Sequence, residues 1–329
     1  MQLVLNTHGL LLKVKNKVFY VTAGDESRLI SPEKISSIAV TAPCLISSAA
    51  IQLAADAGIS IYFYDRIGDA QSCLRSPYFE SLATLRRKQV YFSDAVAGST
   101  WVIEQFRYKT EHQIQVLNYL RDRRSKHQAA IQQCIQTLSD GLEKLVAQTE
   151  APSGTWSAAL MGWEGHQAKV YWQQISECLP ETWRFAGRSR RPAKDAFNAM
   201  LNYLYGMLYT VVEQALFAAG LDPHLGILHT DEYDRPTLAY DLIEPFRPWV
   251  DLFIIQRLLK KEIEPTFFEP YEEGLYLSDN GKRFLIPAFN GWMLERKRWQ
   301  SRQLSREAHI YQHAAQLAKT IHQSVERPR

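Results

Sequence analysis

The chain is poor in the features that mark many protein classes. Among 329 residues there are four cysteines, Cys44, Cys73, Cys134 and Cys178, and no two form a CxxC pair. Neither a zinc ribbon nor a thioredoxin-type motif is available, so reduced thiols in a cytosolic protein are expected. An excess of one charge is also missing. The 38 Lys and Arg against 35 Asp and Glu leave a formal +3, which excludes a histone-like carpet but not a local basic patch. Met1–Asn6 lacks a charged segment ahead of an apolar stretch, so no secretory signal is expected. The uncharged run Ile35–Ala55 has the length of a membrane span, yet Ser36, Ser37, Thr41, Pro43, Ser47, Ser48 and Gln52 interrupt it. A strand, a turn at Ala42-Pro43 and a small-residue helix explain it better, so a cytoplasmic protein without membrane association is expected. No GxxxxGK[ST] loop, GxGxxG after a strand or GxSxG elbow is present, which removes the usual signatures of nucleotide cofactors and of serine hydrolases. There is no internal repeat and no low-complexity tract.

What is present reads as an ordinary globular chain, 46% hydrophobic and 22% charged, long enough for about two domains. The first part is rich in short strands. Leu10–Val14, a turn at Lys15-Asn16-Lys17 and Val18–Val21 predict a hairpin, and Ile35–Val40 and Ile59–Tyr64 are further strands. Ser47–Ala57 is helix-compatible and stops at Gly58; Gly68 and Pro77 punctuate the segment after Tyr64. From Phe79 to Ala151 there is no proline, and Ile103, Phe106, Ile114, Leu117 and Leu120 recur near helical spacing. After a break at Ala151–Gly154, helices are expected over Trp156–Ile175 and Asp195–Ala219, the second ending at Gly220 ahead of Pro223. From Pro248 onwards helical segments alternate with loops expected at Pro265, Pro270, Asn280-Gly281 and Pro287. The expected fold class is α+β: a small N-terminal β-rich domain over 1–80 and a larger all-α catalytic domain over 81–329.

The chemistry rests on acids and a histidine. Glu164 lies in Gly162-Trp163-Glu164-Gly165, where two flanking glycines clear space for a bulky partner to reach its carboxylate. On composition alone it reads equally as an exposed helix glutamate. His229 follows the apolar run Leu225–Leu228, a setting that also suits a core histidine. Asp241 and Glu244, three residues apart, share a face if the segment is helical, and beside Arg247 they read equally as a surface ion pair. Taken together, two carboxylates and an imidazole from separate segments suit a hard Mg²⁺ or Mn²⁺ rather than structural zinc. Arg184, Arg188, Arg190, Arg191 and Lys194 are interleaved with Trp183 and Phe185, and Arg296-Lys297-Arg298-Trp299, Arg302 and Arg306 repeat the mixture. Such clusters fit a DNA backbone track, or, more for the later one than for the earlier, a solvated helix face.

Four motifs occur in order: Met161–Gly165; Arg190-Arg191-Pro192 with Asp195 and Asn198–Tyr203; Gly220–Pro223 with Gly226 and His229; and Asp241–Pro248. The series resembles the CRISPR-associated endonuclease–integrase that inserts new spacers during adaptation, in prokaryotic antiviral defence. The resemblance implies a site of Glu164, His229 and Glu244 binding Mg²⁺ or Mn²⁺, with Asp241 as second-choice ligand and Asp195 and Asn198 in support. It further implies double-stranded DNA as substrate, a homodimer joined through the β-rich domain, and a small ferredoxin-like protein bridging two dimers. The alternatives are a branched-DNA repair nuclease and a non-catalytic DNA-binding scaffold.

Overall fold

A computed structural model describes residues 1–65, 70–76, 83–146, 157–190, 192–229 and 235–324. The chain starts with β1 (Gln2–Leu5), β2 (Leu11–Lys15), β3 (Val18–Ala23), β4 (Glu26–Ile30), β5 (Ser37–Val40), β6 (Leu45–Ile46), α1 (Ser48–Asp56), β7 (Ser60–Tyr64) and β8 (Ala70–Leu74). Next come the helices α2 (Ala83–Asp94), α3 (Val96–Arg121), α4 (Gln128–Val146), α5 (Ser157–Cys178), α6 (Ala196–Ala218), α7 (Thr237–Leu242) and α8 (Arg247–Leu259). The remainder is β9 (Phe268–Tyr271), β10 (Gly274–Leu277), α9 (Asp279–Leu294), β11 (Arg296–Trp299), β12 (Arg302–Ser305) and α10 (Arg306–Ser324). Gly68, Pro77, the break at Ala151–Gly154, Trp156 and Arg191 lie outside the described residues. No helix among the described residues is long and apolar enough to cross a membrane.

Two compact units result, Met1–Glu80 with Arg283–Tyr311, and Ser81–Lys282 with Gln312–Arg329. The expected uninterrupted second domain over 81–329 is thus split, because residues 283–311 group with the N-terminal strands. In the first unit, β1, β5 and β7 run parallel and β8 antiparallel in the order β1-β5-β7-β8. A second sheet has the order β4-β3-β2-β6. The β2–β3 hairpin turns at Asn16 and Lys17, whose φ of 53° and 62° are the left-handed values that a two-residue turn of this hand requires. Helix α1 starts where Ser47 Oγ accepts from Ala50 N at 3.2 Å, and Gly58 at φ 67° turns the chain into β7. Leu5, Leu12, Phe19, Ile38 and Ile61 close the core of this unit.

Among the described residues the second unit is helical, with the ribbon β9–β10 inside it. Helix α6 is apolar around most of its circumference and buried along its length, as a central helix must be. Asp195 caps it, and Gly220 at φ 76° ends it. Pro248 lies in the first turn of α8, where a helix needs no proline N–H. Pro287, where a loop is expected, instead lies inside α9 between the buried Leu285 and Phe289. Asn280-Gly281 forms the first turn of that helix. A Cβ at Gly281 would stand 2.4 Å from Phe267 O, so the backbones approach too closely for any side chain.

Gly98 makes a similar approach early in α3, where an added Cβ would meet Phe92 O at 2.3 Å and Ile227 Cγ2 at 3.2 Å. Gly98→Ala is expected to destabilise the protein by about 1–3 kcal/mol through this overpacking. Urea denaturation should show a lowered midpoint with an unchanged slope.

Candidate active site

Glu164 projects from α5, a helix whose glycines beside it leave open space: a Cβ at Gly162 or Gly165 would meet no atom within 4 Å. Glu244 starts a turn of 3-10 helix, Glu244–Phe246, between α7 and α8. His112 of α3 fastens that turn by donating from Nδ1 to Pro245 O at 2.7 Å. Lys109, one turn earlier on α3, lies between the two acids, with Nζ 2.6 Å from Glu164 Oε1 and 2.6 Å from Glu244 Oε2. Arg247 donates from Nε to Glu244 Oε1 at 2.6 Å and from Nη2 to the Tyr209 hydroxyl at 2.6 Å. Glu244 and Arg247 form no surface pair, because their side chains are only 8% and 16% exposed. Burial works against the charge of Glu244, but Arg247 and Lys109 outweigh it and hold the carboxyl well below the usual carboxylate range. Lys109 is equally buried, and the two glutamates outweigh the cost and raise its pKa.

His229 and Asp241 form a second pair. Asp241 is 3% exposed and accepts four hydrogen bonds: Ile227 N at 2.7 Å, Leu228 N at 3.1 Å, His229 N at 3.3 Å and His229 Nδ1 at 2.6 Å. An ionised carboxylate offers about four lone-pair sites, so these donors use its capacity. Asp241 therefore folds the 227–229 loop and orients the imidazole, leaving Nε2 as the nitrogen that faces away from it. Burial disfavours the imidazolium, but the Asp241 hydrogen bond and charge, with Glu244 and Glu164, raise the His229 pKa.

A cavity of about 670 Å³ is lined by Lys109, Glu164, Glu244 and Arg247 together with Lys169, Trp172, Arg188, Arg190, Tyr205 and Asp251. His229 is not part of this lining, and among the described residues no three His, Cys, Asp or Glu side chains form a ready metal cluster. The donor set nevertheless suits a hard divalent ion. Two carboxylates already share one cation, and a carboxylate stands behind the imidazole, as is usual for a metal-ligating histidine.

The basic residues divide. Arg188 Nη1 donates to Asn198 Oδ1 at 2.8 Å and its Nη2 to Asn202 Oδ1 at 2.6 Å, so it ties the 187–190 loop to α6. Asn198, fully buried, also accepts from Ser189 N at 3.0 Å and donates to Gly187 O at 2.9 Å. Asp195 in turn accepts from Asn198 N at 2.8 Å. Arg184 donates to carbonyls at the end of α5, Leu179 O and Glu177 O, both at 3.4 Å. Arg190 is exposed at the cavity, whereas Arg191 lies outside the described residues. The later cluster is a hairpin, β11–β12, and not a helix face; Arg306 at its end is buried, donating to Trp292 O at 2.8 Å.

Sequence reasoning missed Lys109 and Asp251. Lys109 sits in Phe106–Thr110 without any spacing signature. Asp251, on α8, is 1% exposed and accepts from Tyr205 OH at 2.7 Å and Tyr171 OH at 2.9 Å. Burial pushes its carboxyl up to about 7, against these hydrogen bonds and the charges of Arg247 and Arg188.

Comparison with known proteins agrees with this fold. The family profile described as CRISPR associated protein Cas1 matches residues 3–291. A CRISPR-associated endonuclease Cas1 of Archaeoglobus fulgidus is 31% identical over 333 aligned positions, covering 95% of this chain and 94% of its own. Another from Saccharolobus solfataricus is 29% identical, covering 78% and 75%. In fold, a Cas1 protein from Thermotoga maritima superposes with a TM-score of 0.82 at 21% identity, covering 98% and 97%. A casposase bound to integration product gives 0.81 at 23% identity, covering 99% and 92%. The chain has the α+β fold of a CRISPR adaptation integrase. It belongs to the Cas1 family, the endonuclease–integrases of CRISPR adaptation.

Asp251 sets a pH dependence. Its pKa of about 7 lies above the ordinary 3.9, so its contribution to stability is complete below pH 4 and is lost as pH rises through 7. The melting temperature of the wild type relative to Asp251→Asn should therefore fall between pH 5 and pH 8. A difference that stays constant across that range would show that Asp251 is ionised throughout.

Proposed function

We propose that this chain is a divalent-metal-dependent DNA integrase and endonuclease that inserts spacer DNA into a CRISPR array. The reaction is attack of a spacer 3′-hydroxyl on a repeat phosphodiester, a transesterification; with water as nucleophile the same site hydrolyses DNA. The observation that carries the reading is the convergence of Glu164 and Glu244 on one cation position within an open, basic cavity. Glu164, Glu244 and His229 through Nε2 are the residues that would hold Mg²⁺ or Mn²⁺. When bound, the ion polarises the phosphodiester and stabilises charge developing at phosphorus. Asp241 keeps His229 oriented, and Arg247 fixes Glu244 so that Oε2 is the oxygen turned to the shared cation. Arg190 and Lys169 offer the cavity's phosphate contacts, and Trp172 a ring against which a base or sugar can rest. Arg188 and Arg184 shape the loop beside them.

The proposed assembly is a homodimer through the β-rich unit, acting on double-stranded DNA in the cytoplasm, with a small ferredoxin-like protein bridging two dimers. Both edge strands of the second sheet, β4 and β6, present exposed leucines, Leu29 at 58% and Leu45 at 69%, which supports burial against another chain. A solved Cas6-RT-Cas1–Cas2 complex contains a chain that superposes on this one with a TM-score of 0.77 at 23% identity, covering 98% of this chain and 35% of its own. That likeness supports a Cas2-type protein as the bridging partner.

Glu164→Gln is expected to abolish strand transfer while leaving DNA binding nearly intact, and Asp241→Asn to lower activity by about 10–100-fold by misorienting His229. Strand-joining and cleavage assays on branched and supercoiled DNA would check both. Near wild-type joining by Glu164→Gln would overturn the site, and cleavage of branched DNA without any joining would indicate repair. Activity should fall as pH drops through the raised pKa of His229, because protons compete with metal for the imidazole.

The arginines separate in a salt titration. Arg190→Ala should reduce the slope of log affinity against log salt by about 1. Arg188→Ala should chiefly lower the melting temperature, because it removes one of the two donors to Asn198 Oδ1 and the guanidinium donor to Asn202 Oδ1.

A further inference from the structure

Lys109 stands at the point where the proposed metal would sit. Its Nζ lies 2.6 Å from one oxygen of each glutamate, so those two oxygens are no more than twice that distance apart. Unscreened, two carboxylates this close repel each other. The ammonium offsets that repulsion, at 11% side-chain exposure and with the Phe106 ring centroid 5.3 Å away. A divalent ion would do the same task with two charges and metal–oxygen bonds of about 2.1 Å. Both cations cannot occupy one place. Arg247 does not compete, because it holds the other oxygen of Glu244. Lysine, a compact charge on a flexible four-carbon stem, can leave, and Lys109 itself lines the cavity that would receive it.

We propose that Lys109 is a resident counter-cation that balances Glu164 and Glu244 in the metal-free protein and is displaced by the incoming divalent ion. This rests on the metal reading of Glu164 and Glu244 above. Metal affinity of the DNA-free protein is then set by competition with a built-in ammonium. The displaced ammonium enters the cavity beside Arg190, where a phosphodiester would accept it, so DNA and metal favour each other's binding.

The test is Mn²⁺ binding to the full chain without DNA, measured by isothermal titration calorimetry. Lys109→Met should bind Mn²⁺ about tenfold tighter than wild type or better, and Lys109→Arg, which keeps a cation in place, should not gain. Glu164→Gln should abolish the high-affinity binding in both backgrounds. Unchanged or weaker binding by Lys109→Met, with Glu164→Gln still eliminating it, overturns the displacement and leaves the metal site standing. Mn²⁺ binding that ignores Glu164→Gln overturns the metal reading itself. The wild type supplies a readout that needs no variant to fold. Acetic anhydride labelling of Lys109, mapped by mass spectrometry, should rise several-fold at saturating Mn²⁺. Labelling that does not change overturns the proposal.

Discussion

A buried carboxylate between two cations is the constraint on which the site depends. Glu244 is almost fully removed from water, and an unpaired charge there would be neutralised by a proton rather than tolerated. Arg247 and Lys109 each take one of its oxygens, and each is committed to a second group, Tyr209 for the arginine and Glu164 for the lysine. The network draws α3, α5 and the Glu244 turn to one place. The same pairing leaves one oxygen of Glu244 and one of Glu164 aimed at a common position, so the charge balance that permits burial also prepares a cation site.

The second layer of the site is built from carboxylates and amides that never face the cavity. Asp241 gathers three consecutive backbone N–H groups and the imidazole of His229, converting a loop into a fixed mount. Asn198 does comparable work for the 187–190 loop by joining Asp195, Gly187, Ser189 and Arg188 at the start of α6. In both places a short polar side chain at a helix or loop terminus satisfies donors that would otherwise be stranded. The two mounts explain why so many polar residues of the motifs are not exposed.

Much of the architecture was legible in the residues alone. The β2–β3 hairpin, α1 ending at Gly58, β7, and α6 between Asp195 and Gly220 arise from turn chemistry, caps and runs of apolar residues, all of which act over a few neighbours. Glu164, Asp241 and Glu244 could be singled out because motif, spacing and flanking glycines or prolines are properties of a line of sequence. The grouping of 283–311 with the first strands, the helix that runs through Pro287, and the β11–β12 hairpin were not legible, because packing decided them against local preference. The line of sequence ranked Glu244 ahead of Asp241 as ligand but left Asp241 as second choice, since both suit a ligand. Four donors converging on Asp241 from residues 227–229 settled its part in holding the loop. Arg188 and Arg190 are chemically alike two residues apart and both line the cavity, yet only the fold ties one to Asn198 and Asn202 and leaves the other exposed. Lys109 is the sharpest case. Its meaning arises entirely from acids 55 and 135 positions away, and the potential of a charge is set by distance in space, which only the tertiary structure supplies.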